Sequence, residues 1–160
     1  MKTLHMDAKA KLPANQGRER AQGMVEFALM LPLLLVLVFG IIEFGRLLFY
    51  YSAVTTATRE AARFGSAAEH YNDCTGIKDA AKRLGGLVGV QDTNISIYYD
   101  NGHGTVVSAS CPPGGVTLGN RVIVEVKDVQ FRPAVPLVNL PPIKFSSKVK
   151  RTILMGLALQ

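Results

Sequence analysis

The side chains with most chemistry to offer are Cys74, Cys111, His70 and His103. Three arrangements of them are conceivable: a zinc site, a Cys–His nucleophile, or a disulfide. Zinc sites carry ligands in tight local pairs, and neither cysteine has a Cys-x-x-Cys neighbour. A thiolate nucleophile needs a base held against it, and nothing in the spacing fixes one. The disulfide needs only an oxidising compartment. Closing a loop of this length contributes roughly 4 kcal/mol in the chain-entropy model. The expectation is therefore a Cys74–Cys111 disulfide, with no metal ligand and no catalytic residue. Gly85-Gly86-Leu-Val-Gly89 lacks the lysine and hydroxyl that would hold a phosphate. Lys144, Lys148, Lys150 and Arg151 could touch anionic surfaces but read as a solvated strand face, and outside this stretch the sequence has no basic stripe interleaved with aromatics of the kind a nucleic-acid binder usually shows. No cofactor, nucleic acid or small-molecule substrate is expected, and the chain does not read as an enzyme.

One acid remains to be explained. Glu26 opens a run, residues 27–42, that carries no charge at all. A carboxylate at that depth costs about 2–3 kcal/mol unless paired. Glu26 at headgroup level would complement the positive end of the helix dipole. A pairing partner would serve equally well.

The element that positions Glu26 is one long helix. At about 1.5 Å per residue, residues 27–42 cover most of a hydrocarbon core, which takes roughly 20 residues. Leu47, Leu48 and Phe49 extend the run, and Tyr50 and Tyr51 sit where interfacial aromatic anchors belong. The net charge of +6 divides unevenly along the chain. Lys2, Lys9, Lys11, Arg18 and Arg20 precede the run, whereas Arg46, Arg59 and Arg63 after it are diluted by Glu43 and Glu60. The positive-inside rule then keeps the N-terminus in the cytoplasm and exports the remainder. The apolar run is too long for a cleaved secretory signal, and no Ala-x-Ala site follows it. Residues 1–20 read as a polar, disordered tail.

The words around Glu26 carry a resemblance. Arg20-Ala-Gln-Gly-Met-Val-Glu26-Phe-Ala-Leu-Met-Leu-Pro32 resembles the start of the TadE-like pseudopilins of tight-adherence (Flp-type) pilus systems. Ala57-Thr-Arg-Glu-Ala-Ala-Arg63-Phe is similar to that family's Ala-rich segment with paired arginines. The match covers residues 20–66. It implies processing by a prepilin peptidase at the cytoplasmic face, between Ala21 and Gln22. The family usually has Gly before the cut, where this chain has Ala21. It also implies that Glu26, followed by Phe27, neutralises the new amine at Gln22. Those positions are i,i+4 helix neighbours, so the carboxylate can meet its own chain's amine or a neighbouring subunit's. The partners implied are the lipid bilayer, the peptidase, other pilins or pseudopilins, and the assembly platform proteins.

Beyond the apolar run, Pro32 removes a helix donor and crowds the carbonyl four residues back, so a kink or loosening is expected. Glu43 and Arg46, three residues apart, read as an interfacial ion pair. Leu47, Tyr50, Val54, Ala57, Ala61, Phe64 and Ala68 step by three and four, which puts one apolar face on an amphipathic stem. That face could pack on the chain's own sheet or on helices of other subunits. Residues 77–84 read as a short amphipathic helix, with Thr75 as N-cap and Gly85-Gly86 as its stop.

The period then changes to two. Residues 95–99 and 105–109 flank a turn-rich link and read as a hairpin. Residues 121–127 alternate as the best strand, and Pro133, Pro136, Pro141 and Pro142 make the next section an irregular excursion. Residues 144–153 alternate again with a basic outer face, and the apolar residues 153–159 are too few to span a bilayer. The expected architecture is α+β and membrane-anchored: a long N-terminal transmembrane and stem helix packed on a small antiparallel sheet, pseudopilin-like. It divides into a cytoplasmic leader (1–21), the transmembrane and stem helix (22–69), and an exported domain (70–160). The expected role is a minor pseudopilin in pilus assembly or a related secretion machinery, in the cytoplasmic membrane. The alternative is an uncleaved, membrane-anchored extracytoplasmic adaptor or binding domain.

Overall fold

The computed structural model describes residues 16–134 and 141–154, with side chains from residue 21. The first 15 residues of the expected disordered tail, the centre of the proline-rich excursion (135–140) and the end of the chain (155–160) lie outside the described residues, whereas residues 16–20 of that tail are helical, because the backbone hydrogen bonding of the long helix extends into them. The fold is α+β. A 50-residue helix, α1 (Gln16–Gly65), is followed by α2 (Cys74–Gly85) and a four-stranded antiparallel sheet. The chain divides after Ile41 into two compact units.

In the first unit every described side chain is exposed, from Met24 and Phe27 through Leu37 and Ile41. The helix continues through Pro32. A helix that is apolar on all sides and covered on none is stable only in an apolar solvent. By length and composition, α1 includes one helix able to cross a membrane, Ala21–Gly65.

In the second unit α1 acquires a buried face. Val54, Ala57, Ala61 and Ala62 are buried, and so is Thr58, whose hydroxyl donates to the Val54 carbonyl at 2.7 Å. Leu47, Tyr50 and Phe64 are half-buried on the same side. Helix α2 lies close against this stem because glycines remove the side chains that would hold it off. A β-carbon on Gly65 would come within 2.8 Å of Ile77. One on Gly85 would come within 2.7 Å of Val90 and 3.2 Å of the Ala57 methyl. The stem ends at Gly65, three residues short of Ala68, which lies half-buried in the turns that follow. The apolar spacing carried on past the point where the helical backbone stops. The cap of α2 also differs from expectation: Asp73, not Thr75, accepts the Gly76 amide, at 2.9 Å. The carboxylate starts the helix earlier, so Thr75 lies inside it.

The sheet strands are β1 (Ile95–Asp100), β2 (Val106–Ser108), β3 (Arg121–Phe131) and β4 (Ile143–Thr152), in the order β2-β1-β3-β4. Ile95, Ile97 and Tyr99 of β1, with Val122, Val124 and Val126 of β3, form the core with Val54, Ala61, Ile77 and Ala81. β3 runs four residues beyond the alternation that ends at Lys127. Val126 pairs with Ser147, but Val129 pairs with Phe145: three steps on β3 oppose two on β4. This bulge, with Asp128 at φ 55°, moves the inward positions from even to odd numbers. Val129 and Phe131 are therefore buried. β2 is shorter than expected, three residues rather than five.

Candidate functional site

Three places combine the residues singled out by sequence: the start of the exposed helix, the point where the sheet reaches the helix, and the corner held by sulfur. At the first, Ala21, Gln22, Glu26 and Phe27 all lie on α1 and are all exposed. Gln22 and Glu26 are one turn apart on continuous helix, so a charge at either one is felt at the other.

At the second, Glu43 and Arg46 pair at 2.7 Å. Glu43 does more than pair. Its other oxygen accepts the Ala134 amide at 2.9 Å, across 91 residues of sequence. Arg46 lies 5.4 Å from the centre of the Phe131 ring, and Tyr50 packs edge-on to that ring at 5.0 Å. The end of β3 is thus fastened to the stem by a carboxylate, a guanidinium and two rings. Sequence spacing identified the ion pair but not its third partner. A local i,i+3 pattern carries no information about a distant backbone amide.

At the third, Cys74 and Cys111 form a disulfide with Cα atoms 5.6 Å apart, linking the start of α2 to the loop after β2. Neither sulfur is then free to bind zinc or attack a substrate. His70 stacks on Phe64 at 4.4 Å, and His103 is exposed in the β1–β2 turn. Among the described residues no group of three or more His, Cys, Asp or Glu is placed to hold a metal ion. Tyr99, fully buried, donates its hydroxyl to the Tyr71 carbonyl and lies 3.4 Å from the Cys111 sulfur. Burial, and secondarily the neighbouring Tyr71, pushes its pKa up to about 12. It is a neutral donor at any physiological pH.

The outer face of the sheet carries charges that are engaged with one another. Asp100, only 1% exposed, accepts Arg121 Nε at 2.6 Å, Arg121 Nη2 at 2.8 Å and the Gly102 amide at 3.0 Å. Arg121 holds this carboxyl below the usual range against the opposing effect of burial, with Gly102 and Lys150 adding to it. Lys148 lies 5.0 Å from the centre of the Tyr98 ring, Lys150 is 3.8 Å from Asp100, and Lys144 is 3.5 Å from Asp128. The lysines of β4 are each matched within the domain, as a solvated strand face would be.

The stem face is placed against the chain's own core. Val54, Ala57 and Ala61 are fully buried, so no surface remains at those positions for another subunit's helix. The uncovered apolar surface of α1 lies nearer the N-terminus, from Met24 to Tyr51.

Residues 21–63 match the family model described as TadE-like protein. No curated protein and no solved structure matches the chain. The matched segment begins at Ala21 and ends at Arg63, so it takes in Glu26, Pro32, the Glu43–Arg46 pair and most of the stem, and leaves the sheet outside.

Proposed function

We propose that this chain, TadE-like over residues 21–63, is a structural component of a tight-adherence pilus system, a minor pseudopilin held in the cytoplasmic membrane. The single observation behind this reading is an exposed helix whose charge-free run opens with Glu26 and which carries the TadE-like match through to the stem. The N-terminus lies in the cytoplasm and the sheet domain outside it, as the charges flanking the span and the disulfide both favour. A prepilin peptidase cuts before Gln22. The amine released there is one helical turn from Glu26, and their mutual attraction offsets much of the cost of placing an acid at the lipid boundary. The same carboxylate serves as an axial gauge when the helix slides against those of other subunits.

The test is intact-mass and N-terminal analysis of the membrane fraction from cells that express the peptidase. The expected chain begins at Gln22. A chain that keeps its first 21 residues in every fraction overturns the processing and favours the uncleaved adaptor, a reading to which Ala21 in place of the family's usual Gly lends support. Glu26→Gln should leave the anchored chain intact and reduce its incorporation into assembling complexes. Unchanged pilus production in that variant removes the role assigned to Glu26.

A further inference from the structure

We infer that the sheet domain does not stand clear of the bilayer: its near end is itself seated in the phospholipid headgroup layer, as a second contact beyond the helix. This rests on the reading of α1 as a membrane span. The charge-free run of the sequence ends at Ile42, and the next residue, Glu43, accepts the Ala134 amide, three residues past the end of β3. Arg46, one turn further on, meets Phe131, and Phe131 pairs with Ile143 at the start of β4. From Ile42 to Arg46 is only about 6 Å of helix rise. Half the difference between the thickness of a whole bilayer and that of its hydrocarbon core puts a headgroup layer at roughly 5–7 Å. The β3–β4 end of the sheet is therefore at lipid level if the helix spans.

The surface there suits that position. Phe44 and Phe49 on the helix and Ile143 on the sheet are exposed, Ile143 by 41%. Arg132, exposed, has a stem long enough to reach phosphates, while Glu43 and Asp128 are neutralised by their pairs with Arg46 and Lys144, so the acids do not repel an anionic headgroup layer. The opposite end of the sheet differs. Leu118, 46% exposed, lies beside Gly119, whose amide bonds the Ile153 carbonyl, near where Leu154 meets Ser66 past the far end of the stem.

The chain contains no tryptophan, so a single introduced one reports its own surroundings. The full chain is placed in vesicles of phosphatidylcholine with phosphatidylglycerol, some lipids carrying a nitroxide quencher close to the headgroup. Ile143→Trp and, independently, Arg132→Trp should lose roughly half their emission, as interfacial tryptophans do, and Leu118→Trp should keep nearly all of it. If Val36→Trp is quenched by a deep nitroxide while both sheet-end probes behave like Leu118→Trp, the seating is wrong and the span stands. If Val36→Trp also escapes quenching, the span itself is wrong and this inference falls with it.

Discussion

Two stretches of one helix make opposite bargains with their surroundings. Every side chain of residues 24–42 is exposed, although most are large and apolar. Residues 54–62 are built around alanines, a valine and a threonine, and bury one face completely. The first stretch needs bulk on every side because lipid surrounds it. The second needs small side chains because α2 and β3 must come close. Hydrophobicity alone does not separate the two. Side-chain size and its periodicity do.

That contrast can be tested by substitutions whose costs differ. The largest effect is expected at the corner that closes a loop across the domain. Replacing Cys74 and Cys111 by Ser together should lower the domain's stability by roughly 4 kcal/mol, as read from denaturant unfolding of the detergent-solubilised chain. An unchanged midpoint would show that the bond is idle. Next is the close approach of α2. In Gly85→Ala the new methyl meets Val90, whose nearest side-chain atoms lie 2.7–2.8 Å from it, and should cost about 2 kcal/mol despite better helix propensity. A gain in stability would mean that Val90 moves aside freely.

The buried charge gives a comparable loss with a pH signature. Asp100→Asn breaks the two-pronged bond with Arg121 and should cost about 2 kcal/mol at neutral pH. Because Arg121 depresses the pKa of Asp100 in the fold, its contribution is present above the unfolded value of about 3.9 and lost as pH falls through the lower folded value. The wild-type chain should therefore lose more stability than the variant on acidification below about pH 4. Parallel acid curves would remove Asp100 from the account. The smallest pair makes the comparison directly. Val54→Ala, inside the core, should cost about 1.5 kcal/mol, whereas Leu35→Ala, which removes more carbon, should leave unfolding of the sheet domain within about 0.5 kcal/mol of wild type. Equal costs would contradict the division of the helix into a solvated and a packed part.

Much of the fold was legible in one dimension. The charge-free run, the three-and-four spacing from Leu47 to Phe64, and the change to a two-residue period after Gly86 mark the span, the stem and the sheet. Illegible parts share a cause: they depend on partners far away in sequence or on single backbone angles. The bulge at Asp128 shifts the alternation by one, so Val129 and Phe131 no longer match Val122, Val124 and Val126. With Pro133 following, the pattern reads as the end of a strand two turns of pleat too early. Asp73 and Thr75 are both acceptable caps by type, and which of them accepts the Gly76 amide is settled only by the turn preceding α2. At the candidate site, the i,i+3 spacing of Glu43 and Arg46 announced their ion pair, while the bond from Glu43 to Ala134 had no local sign.

The fastening at Glu43 has a mechanical meaning. From Arg46 to Gly65 the stem rises about 28 Å, and from Phe131 back to Val122 the strand covers about 30 Å. The two elements thus run side by side over equal lengths, with Arg46 against Phe131 at one end and Gly65 against Val122 at the other. A tug transmitted through the anchor loads their shared contacts simultaneously, like a lap joint, instead of opening them one after another like a zipper. Under such a load the stem and the sheet would yield together or not at all.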